Sequence, residues 1–329
     1  ATGISLIPAA LIASIVTLAY TWSGGILAVT LTDAVQYVII VIGVTLCAYL
    51  AIDHLGGFDA MMSILYSNPR FETNMKPLAN WSLVQFLGLF FSFLLGEFCA
   101  PYYIQRYAST KSAKDSKNGL LIFGVHWIFF MATTAAIGLA SMAIQPDVKP
   151  DLAFTNLIRD ILPPGITGLV FGALLAAVMS TGAAMINTSA VIYTRDIYNK
   201  FINTAATQAQ LLRQSRLSTL VVGGLSIGVA IIFQDVFGLM IYMFKLWPSA
   251  ILPPLMCGLL WGKISPYAGA PAVIAGGLSF FLWSDKVLGE PFGIPANFIG
   301  IGMNCLVLFF VHQKMKGHKP EGPFLPDLN

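Results

Sequence analysis

The sequence predicts an all-α polytopic membrane protein. Three observations carry the prediction: the composition, the recurrence of long apolar runs, and the sorting of basic residues among the connections. The chain is 57% hydrophobic and only 10% charged, with a mean hydropathy of +0.76, where a soluble domain carries about 25% charged residues. A water-soluble chain of 329 residues cannot hide that much apolar surface. Lipid accepts it, provided every backbone polar group is satisfied inside a helix.

Nine apolar runs are spaced along the chain: Ile4–Trp22, Ala28–Ile52, Leu83–Ile104, Leu120–Ile144, Ile166–Tyr193, Leu217–Phe233, Phe237–Trp261, Ala268–Trp283 and Ala296–His312. Several are rich in Gly and Ala, which lets helix backbones approach closely. The connections split by charge. One set holds Arg106, Lys111, Lys114, Lys117, Arg195, Lys200, Arg213, Arg216, Lys263, Lys314, Lys316 and Lys319. The other, 53–81, 145–165, 234–236 and 284–295, holds only Arg70, Lys76, Lys149, Arg159 and Lys286 beside nine acids. The positive-inside rule places the first set in the cytoplasm. Nine alternating crossings reproduce the split, with the first residue outside and the C-terminus inside. One transmembrane domain over 1–329 is expected, ending in a short cytoplasmic tail, 313–329.

Within the outer connections, Leu152–Leu162 has the pattern of a short amphipathic helix at the interface. The inner stretch NKFINTAATQAQLLRQSR contains no Pro and is expected to extend a helix into the cytoplasm. Cys47, Cys99, Cys257 and Cys305 lie far apart inside apolar runs and read as small hydrophobes. No zinc spacing, basic run or nucleic-acid motif is present, and no HExxH, GxSxG or paired-Asp motif supports an enzyme. The chain opens inside an apolar run with no initiator Met, and is expected to be truncated at its N-terminus.

The fifth run, FGALLAAVMSTGAAMINTSAVIYTRDIY, places Ser180 and Thr181 side by side in an Ala/Gly-rich turn. A helical hydroxyl can simply bond the carbonyl one turn back. An adjacent pair, joined by the carbonyl of Ala177, also offers the several neutral oxygens a hard monovalent cation needs.

Here the residues resemble a known family. Ala176-Ala177-Val178-Met179-Ser180-Thr181, then Asn187 and Thr194-Arg195-Asp196-Ile197-Tyr198, is similar to the sodium-site helix of the sodium:solute symporter family. Tyr20-Thr21-Trp22-Ser23-Gly24-Gly25-Ile26-Leu27-Ala28-Val29 with Thr32-Asp33-Ala34-Val35-Gln36 resembles that family's double-glycine stretch. Ile104-Gln105-Arg106 with Ala108 to Lys114, and Gly258-Leu259-Leu260-Trp261 with Lys263 and Gly269-Ala270, are two further matches in the family's order. Ile26 and Gly262 depart from the pattern. The resemblance implies a LeuT-type fold of two inverted five-helix repeats, of which this chain holds core helices four to ten plus two accessory helices. It implies a sodium site at Ala177, Ser180 and Thr181, a sodium exit path by Asp33, and sodium-driven uptake of a small polar solute by alternating access. Sodium is the coupling ion, and no organic cofactor is implied. It also implies that the first core helix supplies other ligands, so this chain alone is not expected to transport.

Charges inside spans are costly and usually meet a partner or a cavity. Asp33, Glu97 and Lys245 are three such charges. Gly96 and Pro101 around Glu97 suggest an irregular helix, with a carbonyl left without its usual donor. An ion pair between Glu97 and Lys245 is the simplest expectation, with a solute carboxylate as the other partner for Lys245. His126, Trp127 and Tyr242 are further candidates for the solute cavity or its gates, against plain packing. The readings kept open are proton coupling through Asp33, Glu97 or His126, and a transmembrane sensory module. The hydroxyl pair favours sodium, because a proton needs a titratable group.

Overall fold

The computed structural model describes residues 6–72, 82–232, 236–261 and 264–316. Lys76, Gly262, Lys263 and the tail from residue 317 lie outside the described residues. The described residues hold twelve α-helices and no strand. Seven helices are long and apolar enough to cross a membrane, and Gly269–Trp283 is a shorter apolar one.

The first helix, α1 (Leu6–His54), is 49 residues long. A straight helix of that length would reach about 74 Å, more than twice a hydrocarbon core of about 30 Å. It does not run straight. Gly25 has φ 57° and ψ −151°, outside helical space. Tyr20 hydrogen-bonds Gln36, although on a straight helix those residues would stand about 24 Å apart. The chain therefore folds back at Gly24–Gly25 into two antiparallel arms. Both glycines are required there. Only Gly adopts the Gly25 backbone readily, and a Cβ on Gly24 would collide with that of Ala28. With this helix divided and Gly269–Trp283 included, each of the apolar runs overlaps a described helix. Gly25→Ala is expected to cost about 1–3 kcal/mol. A thermal melt of the detergent-solubilised protein checks this, with Gly168→Ala, whose added Cβ would meet nothing within 4 Å, as the neutral control.

The described residues fall into two compact units. The first contains α1, α2 (Phe58–Ser67), α3 (Pro69–Glu72), α6 (Ala113–Ile144), α7 (Pro150–Ile161), α8 (Ile166–Ile192) and α9 (Gln208–Ile232). Its core joins Val44, Cys47, Ala48 and Ala51 of α1 to Met61 and Leu65, Ile137 and Ala140, Leu157 and Ile158, and Val170. Small residues set how close the helices come. A Cβ on Gly43 would lie 2.6 Å from that of Ala173, so α1 and α8 touch nearly backbone to backbone. The amphipathic helix expected over Leu152–Leu162 is α7. Its end is tied to α6, where Asp160 accepts from Gln145 Nε2 at 2.7 Å and pairs with Arg159. That guanidinium holds the Asp160 carboxyl below the usual carboxylate range.

After His54, Met61 and Leu65, one turn apart, bury completely on one face of α2. One expectation differs in this unit. The helix extension expected after α8 is a π-helical stretch, Tyr193–Ile202, and it stops before α9 instead of running into it. A capping box starts α9: Thr207 Oγ1 accepts from Gln210 N at 3.3 Å, and Gln210 Oε1 accepts from Thr207 N at 2.8 Å.

The second unit contains α4 (Leu83–Cys99), α5 (Pro101–Ala108), α10 (Val236–Leu260), α11 (Gly269–Trp283) and α12 (Ala296–Lys314). The run expected as one span, Leu83–Ile104, is two helices. Pro101 cannot donate to the carbonyl of Glu97, so the last turn tightens and Ala100 N donates to it at 3.2 Å. Ala100 itself is extended, with φ −64° and ψ 118°.

Helix α10 contains Pro248, Pro253 and Pro254, yet it runs unbroken. Pro253 and Pro254 withdraw the N–H groups that would serve the carbonyls of Ser249 and Ala250. Asn304 replaces both, its Nδ2 donating to Ser249 O at 3.0 Å and to Ala250 O at 2.7 Å. This needs α12 and α11 pressed against α10. Gly276 and Gly300 permit it, since a Cβ on either would strike Ser249. Pro248 likewise frees the carbonyl of Phe244. Gly96 of α4 sits against it, where an added Cβ would lie 2.8 Å away.

Candidate functional site

In the first unit, Ser180 Oγ donates to Ala177 O at 3.0 Å and Thr181 Oγ1 donates to the same oxygen at 3.1 Å. Elsewhere in the unit Thr17, Thr21, Ser218 and Thr219 each bond a separate carbonyl four residues back. Two hydroxyls on one carbonyl gather three neutral oxygens in a single turn. Ser180 is half-buried and Thr181 exposed, so the group is open on one side. The turn is held from behind. Thr17 Cγ2 lies where a Cβ on Gly182 would be 3.8 Å from it, and Tyr20 Oη donates to Met179 O at 3.0 Å.

Asp33, on the arm of α1 after the fold-back, acts electrostatically on the Tyr20 hydroxyl, which also bonds Gln36. Tyr20 thus links the carboxylate arm of α1 to the residue before Ser180. Tyr20 and Gln36 were legible only as letters of a motif. Their meeting depends on the Gly24–Gly25 reversal, which spacing alone does not show. His126 and Trp127 both make ring contacts. The His126 ring meets Tyr37 edge-on at 5.0 Å, and Trp127 stacks on Phe123 and Phe130 at 5.4 and 5.8 Å.

In the second unit, Glu97 lies in the last turn of α4 before the break to α5, on the turn that Gly96 lays against Phe244. The hydroxyls of Tyr103 and Tyr102 hydrogen-bond its carboxylate. Its Oε2 is buried and has no hydrogen-bond partner among the described residues. The expected Glu97–Lys245 ion pair is not made. Lys245 Nζ lies 3.0 Å from Glu290 Oε1 instead. The reason is local: Glu290 sits at φ 48°, just before Pro291, and folds its carboxylate back to accept from Ala296 N, the first residue of α12, at 3.1 Å. An acid is stabilised at a helix N-terminus, so Glu290 is held at the start of α12 and meets Lys245 there. Both side chains are about a quarter exposed. They line a cavity of about 320 Å3 with Gln85, Gly88, Leu89, Ile241 and Pro295. Tyr242 packs edge-on against Phe280 at 5.0 Å, under the ammonium of Lys286.

Removing one partner of a partly buried pair costs more than removing both. Lys245→Met is therefore expected to destabilise by about 2 kcal/mol. The double variant Lys245→Met/Glu290→Gln is expected to recover about half of that, as a coupling energy in a double-mutant cycle of melts.

The sequence profile of the sodium:solute symporter family matches residues 1–276. The chain belongs to that family. Among its relatives, the osmoregulated proline transporter OpuE of Bacillus subtilis is 27% identical over 286 residues, covering 84% of this chain and 56% of the relative. A sodium/proline symporter of Escherichia coli is 26% identical over 280 residues, 82% and 55% of the two chains. The chain thus spans about half the length of these curated relatives. A solved structure of a Na+-coupled sialic acid symporter, substrate-bound and outward-open, superposes with a TM-score of 0.73 at 20% identity, over 98% of this chain and 69% of that one. The fold is therefore the LeuT-type transporter fold, and its setting is a membrane.

Proposed function

We propose that this chain is the greater part of a sodium-coupled symporter, in which α8 supplies one side of a sodium site through Ala177 O, Ser180 Oγ and Thr181 Oγ1. The observation that carries the reading is the convergence of two adjacent hydroxyls on one carbonyl, at the step that matches the family. Sodium entering this oxygen group replaces the two hydrogen bonds to Ala177 O with ion contacts. Met179, the residue before Ser180, is tied to α1 by the hydroxyl of Tyr20. Asp33 beside Tyr20 offers the departing ion a carboxylate on the inner side. The solute binds at the break between α4 and α5, beside Glu97. There an interrupted helix presents backbone groups and a carboxylate together. Tyr242 of the same unit, and separately His126 and Trp127 of the first unit, are further candidates for the solute cavity or its gates. The loop charges orient the chain with residue 1 outside and the C-terminus in the cytoplasm.

Uptake into proteoliposomes by the full-length gene product tests the reading. An inward sodium gradient is expected to drive solute accumulation. Uptake driven equally by a proton gradient without sodium would instead favour coupling through Asp33, Glu97 or His126.

A further inference from the structure

We propose that Glu97, with the rings of Tyr102, Tyr103, Tyr107 and Trp247, recognises an ammonium group on the solute. The inference rests on the helix break being the solute site.

Charge accounting comes first. A carboxylate placed within a span needs compensation. Among the described residues, the groups that hydrogen-bond Glu97 are phenol hydroxyls, from Tyr103 and Tyr102. They supply hydrogen bonds but no charge. Lys245, the partner expected for it from the sequence, is held by Glu290. The Oε2 atom is buried and, among the described residues, takes no hydrogen bond. The charge is therefore left for something that comes and goes.

The surroundings then choose the kind of cation. The Tyr102 and Tyr103 rings lie 4.4 Å apart, Tyr103 stacks on Tyr107 at 6.3 Å, and Tyr102 meets Trp247 edge-on at 6.3 Å. Phe244, behind Gly96, meets Trp247 at 5.6 Å. A bare metal ion wants a shell of oxygens. A carboxylate among aromatic faces suits an organic ammonium, which is bulky, weakly hydrated and attracted to ring faces. An anion would meet an uncompensated carboxylate here. A neutral polyol would leave the charge buried and unpaired. The class is thus amino-acid zwitterions, betaines and amines, bound with the nitrogen toward Glu97.

The test uses the full-length gene product in proteoliposomes under a sodium gradient. The probes are L-proline, glycine betaine and choline, set against D-glucose, acetate and 3,3-dimethylbutanol, the uncharged analogue of choline. Sodium-driven uptake of at least one ammonium probe is expected, inhibited by other ammonium compounds and not by 3,3-dimethylbutanol. Glu97→Gln is expected to raise the half-saturating concentration of that probe by about thirtyfold or more, with Glu97→Asp in between. The sodium concentration for half-maximal uptake should stay within about threefold, since the ion site is elsewhere. Sodium-driven uptake confined to glucose or acetate would overturn the ammonium assignment while leaving the symport reading intact. So would a Glu97→Gln protein that binds ammonium probes as wild type does. Uptake of an ammonium probe without any need for sodium would instead break the symport reading and keep the recognition of the cation. Uptake of none of the probes would overturn the assignment.

Discussion

Asn304→Leu is expected to destabilise the protein by about 2–6 kcal/mol, since each buried carbonyl left unpaired costs about 1–3 kcal/mol. Two are at stake, Ser249 O and Ala250 O, which lost their usual donors to Pro253 and Pro254. Asn304 is fully buried, so water cannot stand in for it. The prolines provide the control. Pro253→Ala with Pro254→Ala restores both N–H groups, and on that background Asn304→Leu should cost about 2 kcal/mol less. Thermal melts of the four proteins in detergent make the comparison. A loss from Asn304→Leu that is the same on both backgrounds would mean that the amide serves packing and not the proline carbonyls.

The second large effect falls on the ion. Thr181→Val keeps the shape of the side chain and removes its hydroxyl. Both it and Ser180→Ala are expected to raise the sodium concentration for half-maximal uptake by about tenfold or more, as loss of a metal-site oxygen commonly does. The double variant should show no sodium-driven uptake. Thr181→Ser should remain near wild type. Folding should hardly change, because these hydroxyls bond only a carbonyl whose helical hydrogen bond exists anyway. That separation of ion affinity from stability marks a ligand. A structural hydroxyl would move the melt and leave the sodium dependence alone.

What was legible in the sequence follows from what a linear pattern can encode. The crossings were legible because a helix in lipid must be apolar for about 20 residues. The amphipathic helix α7 was legible from its periodicity. The Ser180–Thr181 step was legible because both its oxygens and their carbonyl lie within one turn. The capping box Thr207–Gln210 was also written in the sequence, and it marks where the π-helical stretch ends and α9 begins, although the polar run around it reads as one continuous helix. Other features needed the third dimension. Lys245 and Glu97 are the natural pair along the chain, being two charges inside spans. Glu290 displaces Glu97 only because Glu290 and Phe292 adopt left-handed conformations that turn the loop back onto α12. Asn304 looks like an unremarkable polar residue until α12 is laid beside the prolines of α10. Tyr20 gains its role from the reversal at Gly25, which brings residues sixteen apart into a hydrogen bond.

The most direct test of the account is a sodium-binding titration, with radiolabelled sodium, on the purified full-length protein and its Thr181→Val variant. The account predicts saturable binding by the wild-type protein and an affinity at least about tenfold weaker in the variant, with both proteins melting at the same temperature. Equal sodium affinity in two equally stable proteins would contradict it, and would remove Ala177, Ser180 and Thr181 from the ion site.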